Sequence, residues 1–147
     1  MMRHQVLLAV HVSLVAGERV FLLRRFQTGY EDGAYTVVAG HVDADESATA
    51  AAVREVMEEA GVVVCPEDLQ FTGCMHRQFA DGEAINLFFV TRRWTGEPTN
   101  AEPGKCDHAD WYPFSALPER MVPYVRSALE YFENGRPYLE YGWAKED

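Results

Sequence analysis

The sequence predicts a mixed α/β sandwich, and three observations support this fold class. Short β-rich segments and longer helical segments follow one another in the order strands, helix, strands, helix. The chain of 147 residues is long enough to bury about 70% of the surface that its unfolded form exposes. Its composition, with 48% hydrophobic and 24% charged residues, is that of a globular protein. We therefore expect one domain over residues 1–147.

The first part of the chain is predicted to form strands. Residues 5–14 are β-rich and nearly all apolar, which is typical of a strand buried on both faces. A turn at Gly17-Glu18 leads to a partner strand over residues 19–25. A short strand over residues 35–38 follows the polar loop 28–33.

Residues 47–60 are predicted to form a helix. Ser47 suits its N-cap, and Gly61 suits the left-handed residue that follows a helix. At 100° per residue, Glu55, Glu58 and Glu59 share one face about 100° wide, together with several alanines. The opposite side is predicted to pack on the sheet, through Thr49, Val53, Val56, Met57 and Ala60.

The second half repeats the pattern of strands followed by a helix. Residues 69–79 and 84–95 are predicted to be two strands joined by a turn that contains Gly82. A short strand is expected over residues 109–113. Residues 118–134 contain an amphipathic helix, whose apolar side carries Val122, Val125, Ala128, Leu129 and Phe132.

Charge and composition exclude several classes of function. The net charge of −10 leaves no basic stripe to cover the phosphates of DNA or RNA, so a nucleic-acid polymer is not an expected partner. A small phosphate compound remains compatible, since a divalent cation can mediate the contact. No apolar run reaches the roughly 20 residues that span a bilayer, and no signal peptide is recognisable. The three cysteines lack a Cys-x-x-Cys spacing, so we expect reduced thiols in a cytoplasmic protein.

The acids of the predicted helix are placed against local rules. Glu58 and Glu59 fall in the last turn, where the helix dipole opposes a negative charge by about 0.3–1 kcal/mol each. Arg54, four residues before Glu58, can pair with one acid but cannot neutralise three. A solvated acidic surface is one interpretation. The other is a functional site, since clustered carboxylates hold Mg²⁺ together with substrate phosphates.

The spacing around this helix resembles the signature of the Nudix hydrolase family. Residues 40–62 read GHVDADESATAAAVREVMEEAGV and match G-x5-E-x7-R-E-U-x-E-E-x-G-U at every fixed position, where U is a bulky aliphatic residue. At a usage of roughly 5–7% per residue type, seven fixed matches arise by chance on the order of once in 10⁹ registers. The match therefore favours the functional site, and the strand order is similar to that of small MutT-type members.

This resemblance implies an α/β/α sandwich with a mixed sheet and a loop–helix–loop motif. It also implies hydrolysis of a nucleoside diphosphate linked to another group, with Mg²⁺ or Mn²⁺. Carried onto this chain, Glu58 and Glu59 are the expected main metal ligands, and Glu55 is a further ligand or the base for the attacking water. The backbone carbonyl of Ala39 is another expected ligand. The catalytic set is then Arg54, Glu55, Glu58 and Glu59.

The remaining motif positions are expected to be structural. Arg54 would pair with carboxylates, Glu46 among them, and hold their geometry. Gly40 has two interpretations of equal weight. It is either a turn glycine or a position whose backbone must come close to a metal-bound phosphate.

Outside the motif, candidates rest on position and chemistry. Glu83 is a candidate for an additional metal-binding acid, with a polar turn residue as the alternative. Arg24 and Arg25 alternate across the end of a strand, so one should face the cleft and contact phosphate; ordinary surface arginines are the alternative. Candidates for contacts with the base are Tyr30, Tyr35, Phe79, Phe88, Asp107, Asp110 and Trp111. Their alternatives are core packing for the aromatic residues and turn capping for the acids.

The substrate is predicted by elimination. Residues 75–78 contain no proline of the kind common in ADP-ribose hydrolases, and the Pro-, Trp- and Phe-rich signature of NADH hydrolases is absent. Residues 63–80 also lack the tyrosine common in dinucleoside polyphosphate hydrolases. The chain therefore most resembles the small MutT-type members, which implies cleavage of a (deoxy)nucleoside triphosphate to monophosphate and pyrophosphate. Two alternatives are a hydrolase of nucleotide sugars or ADP-ribose-type conjugates and a non-catalytic module that senses a nucleotide. Monomer and homodimer both stay open.

Overall fold

A computed structural model describes residues 2–143 of the chain. Its eight strands and two helices are β1 (Leu7–Ala16), β2 (Arg19–Arg25), β3 (Tyr35–Thr36), β4 (Val38–His41), α1 (Ala48–Ala60), β5 (Gln70–Phe79), β6 (Gly82–Thr91), β7 (Cys106–Pro113), α2 (Pro123–Phe132) and β8 (Tyr138–Tyr141). No helix within this range combines the length and the apolar character needed to cross a membrane.

Strand β1 is the centre of the sheet. It pairs antiparallel with β4 on one side and parallel with β6 on the other. Strand β6 pairs antiparallel with β5, and β5 pairs parallel with β8. The end of β1 turns into β2, which forms a smaller antiparallel layer with β3 and β7. The mixed sheet predicted from the sequence is therefore confirmed.

The two faces of β1 supply two different cores. Val10, Val12 and Leu14 are buried against α1, together with Phe89 of β6. The preceding residue of β6, Phe88, packs on the other face of the sheet, against α2. This alternation has the period of two that a strand buried on both faces requires. The helices therefore lie on opposite faces of the sheet, and the expected α/β/α sandwich is confirmed.

Helix α1 begins and ends where the sequence predicts. The Ser47 hydroxyl accepts a hydrogen bond from the Ala50 N–H at 3.1 Å. Gly61 closes the helix in the left-handed conformation, with φ of 73°. Its N–H binds the carbonyls of Val56 and Met57, which the last turn would otherwise leave without partners.

The predicted buried face of α1 is right for Val56 and Ala60, which are fully buried, and wrong for the other three residues. Met57 is 45% exposed, and Thr49 and Val53 are only half-buried. The side against the sheet instead carries Ala51, Ala52, Glu55, Val56 and Ala60. Small alanine side chains let the helix axis come close to β1 and β4, which the larger valine and methionine would prevent. Glu55 is thus drawn towards the sheet, whereas Glu58 on the same helix stays exposed to solvent.

Other boundaries differ where long-range pairing decides them. Strand β6 ends at Thr91, four residues earlier than predicted, because the chain then bends so that Thr95 pairs with Val63. Strand β7 begins at Cys106, since it pairs with β2 along the full length of that strand. Helix α2 covers only part of the predicted segment 118–134. Strand β8 was not predicted, because its four residues become a strand only by pairing with β5.

A substitution at Gly73 of β5 tests the packing of α2 on the sheet. A β-carbon added at Gly73 would overlap the ring of Phe132. We expect Gly73→Ala to lower the free energy of unfolding by about 1–3 kcal/mol, as overpacking of a core does. Urea denaturation measures the change. The control is Gly104→Ala, where a β-carbon meets no atom within 4 Å. Equal stability of the two variants would contradict the packing described.

Candidate active site

A cleft of about 500 Å³ lies where α1, β4, the end of β2 and the loop before β7 meet. Acidic and basic side chains both line it. Its carboxylates are Glu55, Glu58, Glu59 and Glu102, and its cationic side chains are Arg24, Arg25 and Lys105. The three predicted acids of α1 therefore share one cavity with three cations.

Arg54 connects α1 to the loop before it. Its Nε and Nη2 donate to the two oxygens of Glu46 at 2.8 and 3.0 Å, and Nη2 also donates to the His41 carbonyl at 3.0 Å. Its Nη1 donates to Glu55 Oε1 at 2.7 Å. These charge-assisted bonds lower the pKa of Glu46 to about 2. Arg54 thus holds a structural carboxylate and a cleft carboxylate at once.

The three acids of α1 occupy different environments. Glu55 is 8% exposed. Glu59 lies beside it and accepts a hydrogen bond from the Ala39 N–H at 3.2 Å. Burial, with the neighbouring Glu55 carboxyl, raises the pKa of Glu59 well above its ordinary value. The side chain of Glu58 is 48% exposed and approaches Arg54 Nη1 at 3.4 Å.

Gly40 has a reason for being glycine that sequence reasoning did not consider. A β-carbon at this position would overlap the carboxyl group of Glu55. The backbone φ of Gly40 is not in the left-handed region, so turn geometry does not require the residue. The close approach of β4 to a side chain of α1 requires it instead.

The residues of the cleft fit a hard divalent cation. Within residues 2–143, no three His, Cys, Asp or Glu side chains enclose a single point. Mg²⁺ does not need such a cage, because it uses one or two carboxylates and completes its shell with water and substrate phosphates. Burial and the neighbouring Glu55 carboxyl raise the pKa of Glu59, and a cation beside the two carboxylates would offset their repulsion. Ala39 also lines the cleft.

Glu102 and Lys105 are cleft residues that sequence reasoning missed. The charge of Glu102 contributes to the raised pKa of Glu59, so the two carboxylates are near each other. Both residues lie in the loop before β7. Nothing in their sequence spacing distinguishes them from other charged residues of that loop, such as Glu97. Glu83, predicted as the additional acid, does not line the cleft and contacts His4 and His76. Its position gives that prediction no support.

Both arginines at the end of β2 line the cleft, although alternation predicted only one. A register shift between Arg24 and Arg25 breaks the alternation. Arg24 Nε donates to Asp107 at 2.7 Å, which offsets its charge. Arg25 donates to neutral oxygens, namely the Tyr30 carbonyl at 2.6 Å and the Thr28 hydroxyl at 2.9 Å. Arg25 therefore makes no direct ion pair among the described residues, although its charge helps to lower the pKa of nearby Asp32.

The other proposed base contacts are not among the residues that line the cleft, although Tyr30 and Tyr35 border it beside Arg25 and Arg24. The Tyr35 hydroxyl is 2.7 Å from His108 Nδ1. Trp111 packs against Phe21 and Trp94, with ring centroids 5.4 and 5.9 Å away. Core packing, the alternative interpretation for the aromatic residues, fits Trp111 and Phe88. Asp110 accepts a hydrogen bond from the Trp111 N–H, and Phe88 is buried in the core. Tyr30 is 47% exposed beside Arg25, and Phe79 lies 5.0 Å from Arg77.

The burial of Glu59 predicts a stability change. Because its folded-state pKa is raised, ionised Glu59 destabilises the metal-free protein above that pKa. At mildly alkaline pH, Glu59→Gln should increase the free energy of unfolding by more than about 0.5 kcal/mol, the usual limit for surface changes. The gain should vanish as the pH falls towards the ordinary value of 4.5. Thermal denaturation in a chelator measures it.

The matched control is Glu58→Gln, one residue away and half exposed. We expect this variant to stay within about 0.5 kcal/mol of the parent chain. If Glu59→Gln were destabilising at every pH, the environment assigned to Glu59 would be wrong.

Comparison with known proteins identifies relatives of the chain. The NAD-capped RNA hydrolase NudC of Pseudomonas aeruginosa is 33% identical over 107 residues, which are 73% of this chain and 36% of that protein. The protein of the same name from Escherichia coli (strain SMS-3-5 / SECEC) is 31% identical over 91 residues, 62% of this chain and 34% of that protein. The chain thus spans about a third of the length of these curated relatives.

Solved structures share the fold. A MutT NUDIX hydrolase from Burkholderia pseudomallei superposes with a TM-score of 0.80 and 23% identity, covering 86% of this chain and 98% of that chain. A MutT protein from Methanosarcina mazei Go1 gives 0.77 and 18%, covering 92% and 98%. The sequence profile of the NUDIX domain matches residues 4–132. The chain therefore belongs to the Nudix family.

Proposed function

We propose that this chain hydrolyses a phosphoanhydride bond in a nucleoside diphosphate linked to another group, with Mg²⁺ or Mn²⁺. The observation that carries the proposal is the mixed charge of one cleft. Carboxylates on α1 and the loop before β7 face the same space as Arg25 and Lys105. A phosphate chain needs both kinds of group, because cationic side chains bind its oxygens and carboxylates hold the ions that neutralise it.

Different residues of the cleft would have different roles in such a reaction. Glu58, Glu59 and the carbonyl of Ala39 would hold the divalent cation, with Glu102 as an additional acid. When bound, the cation lowers the pKa of water and offsets the charge of the phosphates. Glu55, held by Arg54 at 2.7 Å, is placed to accept a proton from the attacking water or to complete the metal site.

Arg25 and Lys105 are the proposed phosphate contacts. The guanidinium of Arg25 binds only neutral oxygens among the described residues, whereas Arg24 is paired with Asp107. Displacement of the Thr28 hydroxyl by a phosphate oxygen would give the guanidinium an ionised acceptor in place of a neutral one, and the planar guanidinium suits a phosphate group. This difference favours Arg25 over Arg24 as the group that fixes the substrate.

Among substrates, we propose a (deoxy)nucleoside triphosphate, cleaved to monophosphate and pyrophosphate. The absence of the downstream signatures of ADP-ribose, NADH and dinucleoside polyphosphate hydrolases supports this substrate. The curated relatives favour a second candidate, a dinucleotide diphosphate of the NAD type, because they are named NAD-capped RNA hydrolases. The chain aligns with only about a third of the length of these relatives, so the similarity gives no information about RNA binding. We also propose that the protein is located in the cytoplasm.

A panel assay with Mg²⁺, repeated with Mn²⁺, tests the proposal. Normal and oxidised nucleoside triphosphates, nucleotide sugars, ADP-ribose, NAD and dinucleoside polyphosphates are incubated with the chain, and products are separated by chromatography. Release of pyrophosphate from triphosphates supports the first substrate. Cleavage confined to diphosphate conjugates supports the second. Binding of a nucleotide without cleavage of any compound would replace the proposal with the non-catalytic sensor.

Removal of single cleft acids should abolish turnover without unfolding the chain. We expect Glu58→Gln, Glu59→Gln and Glu102→Gln each to lower kcat/KM by about 100-fold or more, since even groups behind a metal ligand are worth 10–100-fold. Circular dichroism checks the fold. Glu97→Gln is the control, because Glu97 is exposed in the same loop but does not line the cleft. Near-normal activity of the α1 variants would refute the assignment.

Lys105 should contribute to substrate binding more than to the chemical step. We expect Lys105→Ala to raise KM about tenfold, equivalent to about 1.4 kcal/mol, with little change in kcat. Lys105→Arg keeps the charge and should stay near the parent KM. Steady-state kinetics at low ionic strength measures both. An unchanged KM in the alanine variant would remove Lys105 from the phosphate site.

A further inference from the structure

A cavity of about 580 Å³ lies on the face of the sheet that packs against α2. Its lining residues come from β1, β5, β6, the end of α2 and the segment after β7. The side chains of β1 alternate between the two faces of the sheet, so Ser13 lies opposite to Val12 and Leu14, which pack on α1. No residue that lines this cavity also lines the cleft that contains the α1 acids. The proposed hydrolysis therefore leaves the cavity without a role.

The inner end of the cavity carries a hydroxyl group. Ser13 is 3% exposed and lines the cavity, and within residues 2–143 its hydroxyl makes no hydrogen bond. Thr72, at the irregularity in the pairing of β5 with β6, lines the same space and donates to the Phe88 carbonyl at 3.1 Å. A buried hydroxyl without a partner is destabilising. The position of Ser13 therefore favours a ligand whose inner end carries a hydroxyl group.

The walls of the cavity are apolar and largely aromatic. Phe88 and Phe132 line it with their ring centroids 5.3 Å apart, and Phe114 and Leu129 add to the same walls. Aromatic rings pack well on one another in tilted and offset arrangements. These walls therefore suit a flat aromatic body.

Charged side chains stand at the mouth of the cavity. Glu18, Arg92 and Glu133 line it and are exposed. The two carboxylates outnumber the one guanidinium, and the whole chain has a net charge of −10. A cation is therefore attracted to the mouth more strongly than an anion.

We propose that this cavity binds a small aromatic amine that carries a hydroxyl group on its ring. The ring packs against Phe88 and Phe132, the hydroxyl reaches Ser13, and the protonated amine lies near Glu18 and Glu133. The volume suits such a molecule, since pockets for small ligands measure about 300–1,000 Å³. The ligand and the substrate of the proposed hydrolysis thus occupy opposite faces of the sheet.

A nuclear magnetic resonance titration of the isotope-labelled full chain tests the proposal with three probes of similar size. Tyramine has the ring, the hydroxyl and the amine. Phenethylamine lacks the hydroxyl, and hydroxyphenylpropionate has a carboxylate in place of the amine. Excess Mg²⁺ is present so that the cleft carboxylates are occupied. We expect tyramine to bind about twofold or more tighter than each of the others and to shift the amide signals of Ser13 and Leu129 but not that of Gly40.

Two variants separate the contributions of the inner end and the mouth. Ser13→Ala should abolish the advantage of tyramine over phenethylamine. Glu133→Gln should reduce the advantage of tyramine over hydroxyphenylpropionate. Glu130→Gln is the matched control and should change neither, because Glu130 is exposed on the same helix but does not line the cavity. Circular dichroism checks that each variant is folded.

Three results would overturn the proposal. One is the absence of signal shifts around the cavity in millimolar tyramine. Another is equal affinity of the parent chain for all three probes. The third is a dimer, measured by sedimentation, that dissociates in Ser115→Trp, because a second copy of the chain would then cover this face; Ser115 is exposed and lines the cavity. Since the readout is binding and not turnover, failure here leaves the proposed hydrolysis untouched, and the converse also holds.

Discussion

The close approach of α1 to the sheet is the constraint on which the candidate site depends. Ala51 and Ala52 are fully buried, so little side-chain volume separates the helix from β1 and β4. Glu55 is carried into that narrow space. Gly40 must then lack a β-carbon, because any side chain there would occupy the position of the Glu55 carboxyl group. The close packing of α1 through Ala51 and Ala52 thus requires glycine at position 40 of β4.

Burial of carboxylates has an electrostatic consequence that Arg54 partly offsets. Its guanidinium divides its hydrogen bonds between Glu46, Glu55 and the His41 carbonyl. Arg54 donates no hydrogen bond to Glu59, which accepts a single one from the backbone N–H of Ala39. Buried carboxylates without a full set of partners raise the free energy of the folded chain when they are ionised, and a divalent cation bound beside them would lower it.

Strand β1 links the candidate site to the opposite helix. His11 pairs across the sheet with Ala39, the residue that binds Glu59. On the other face of β1, His11 Nε2 lies 2.9 Å from the Tyr124 hydroxyl of α2. Burial lowers the pKa of His11 to about 3, so this contact stays neutral at physiological pH. Helix α2 therefore supports the strand that carries part of the site, although it contributes no cleft residue.

The sequence by itself determined the features that depend on local spacing. The caps at Ser47 and Gly61, the acids of α1 and the mixed α/β class follow from residues close together in the chain, and the resemblance carried by residues 40–62 implied the family and its α/β/α architecture. Only the tertiary structure decided which face of α1 is buried, because helical periodicity cannot tell a helix held close by alanines from one held by valine and methionine. It also brought Glu102 and Lys105 to the cleft and Glu83 to the histidines. Those placements depend on strand register and loop closure, which join residues far apart in sequence.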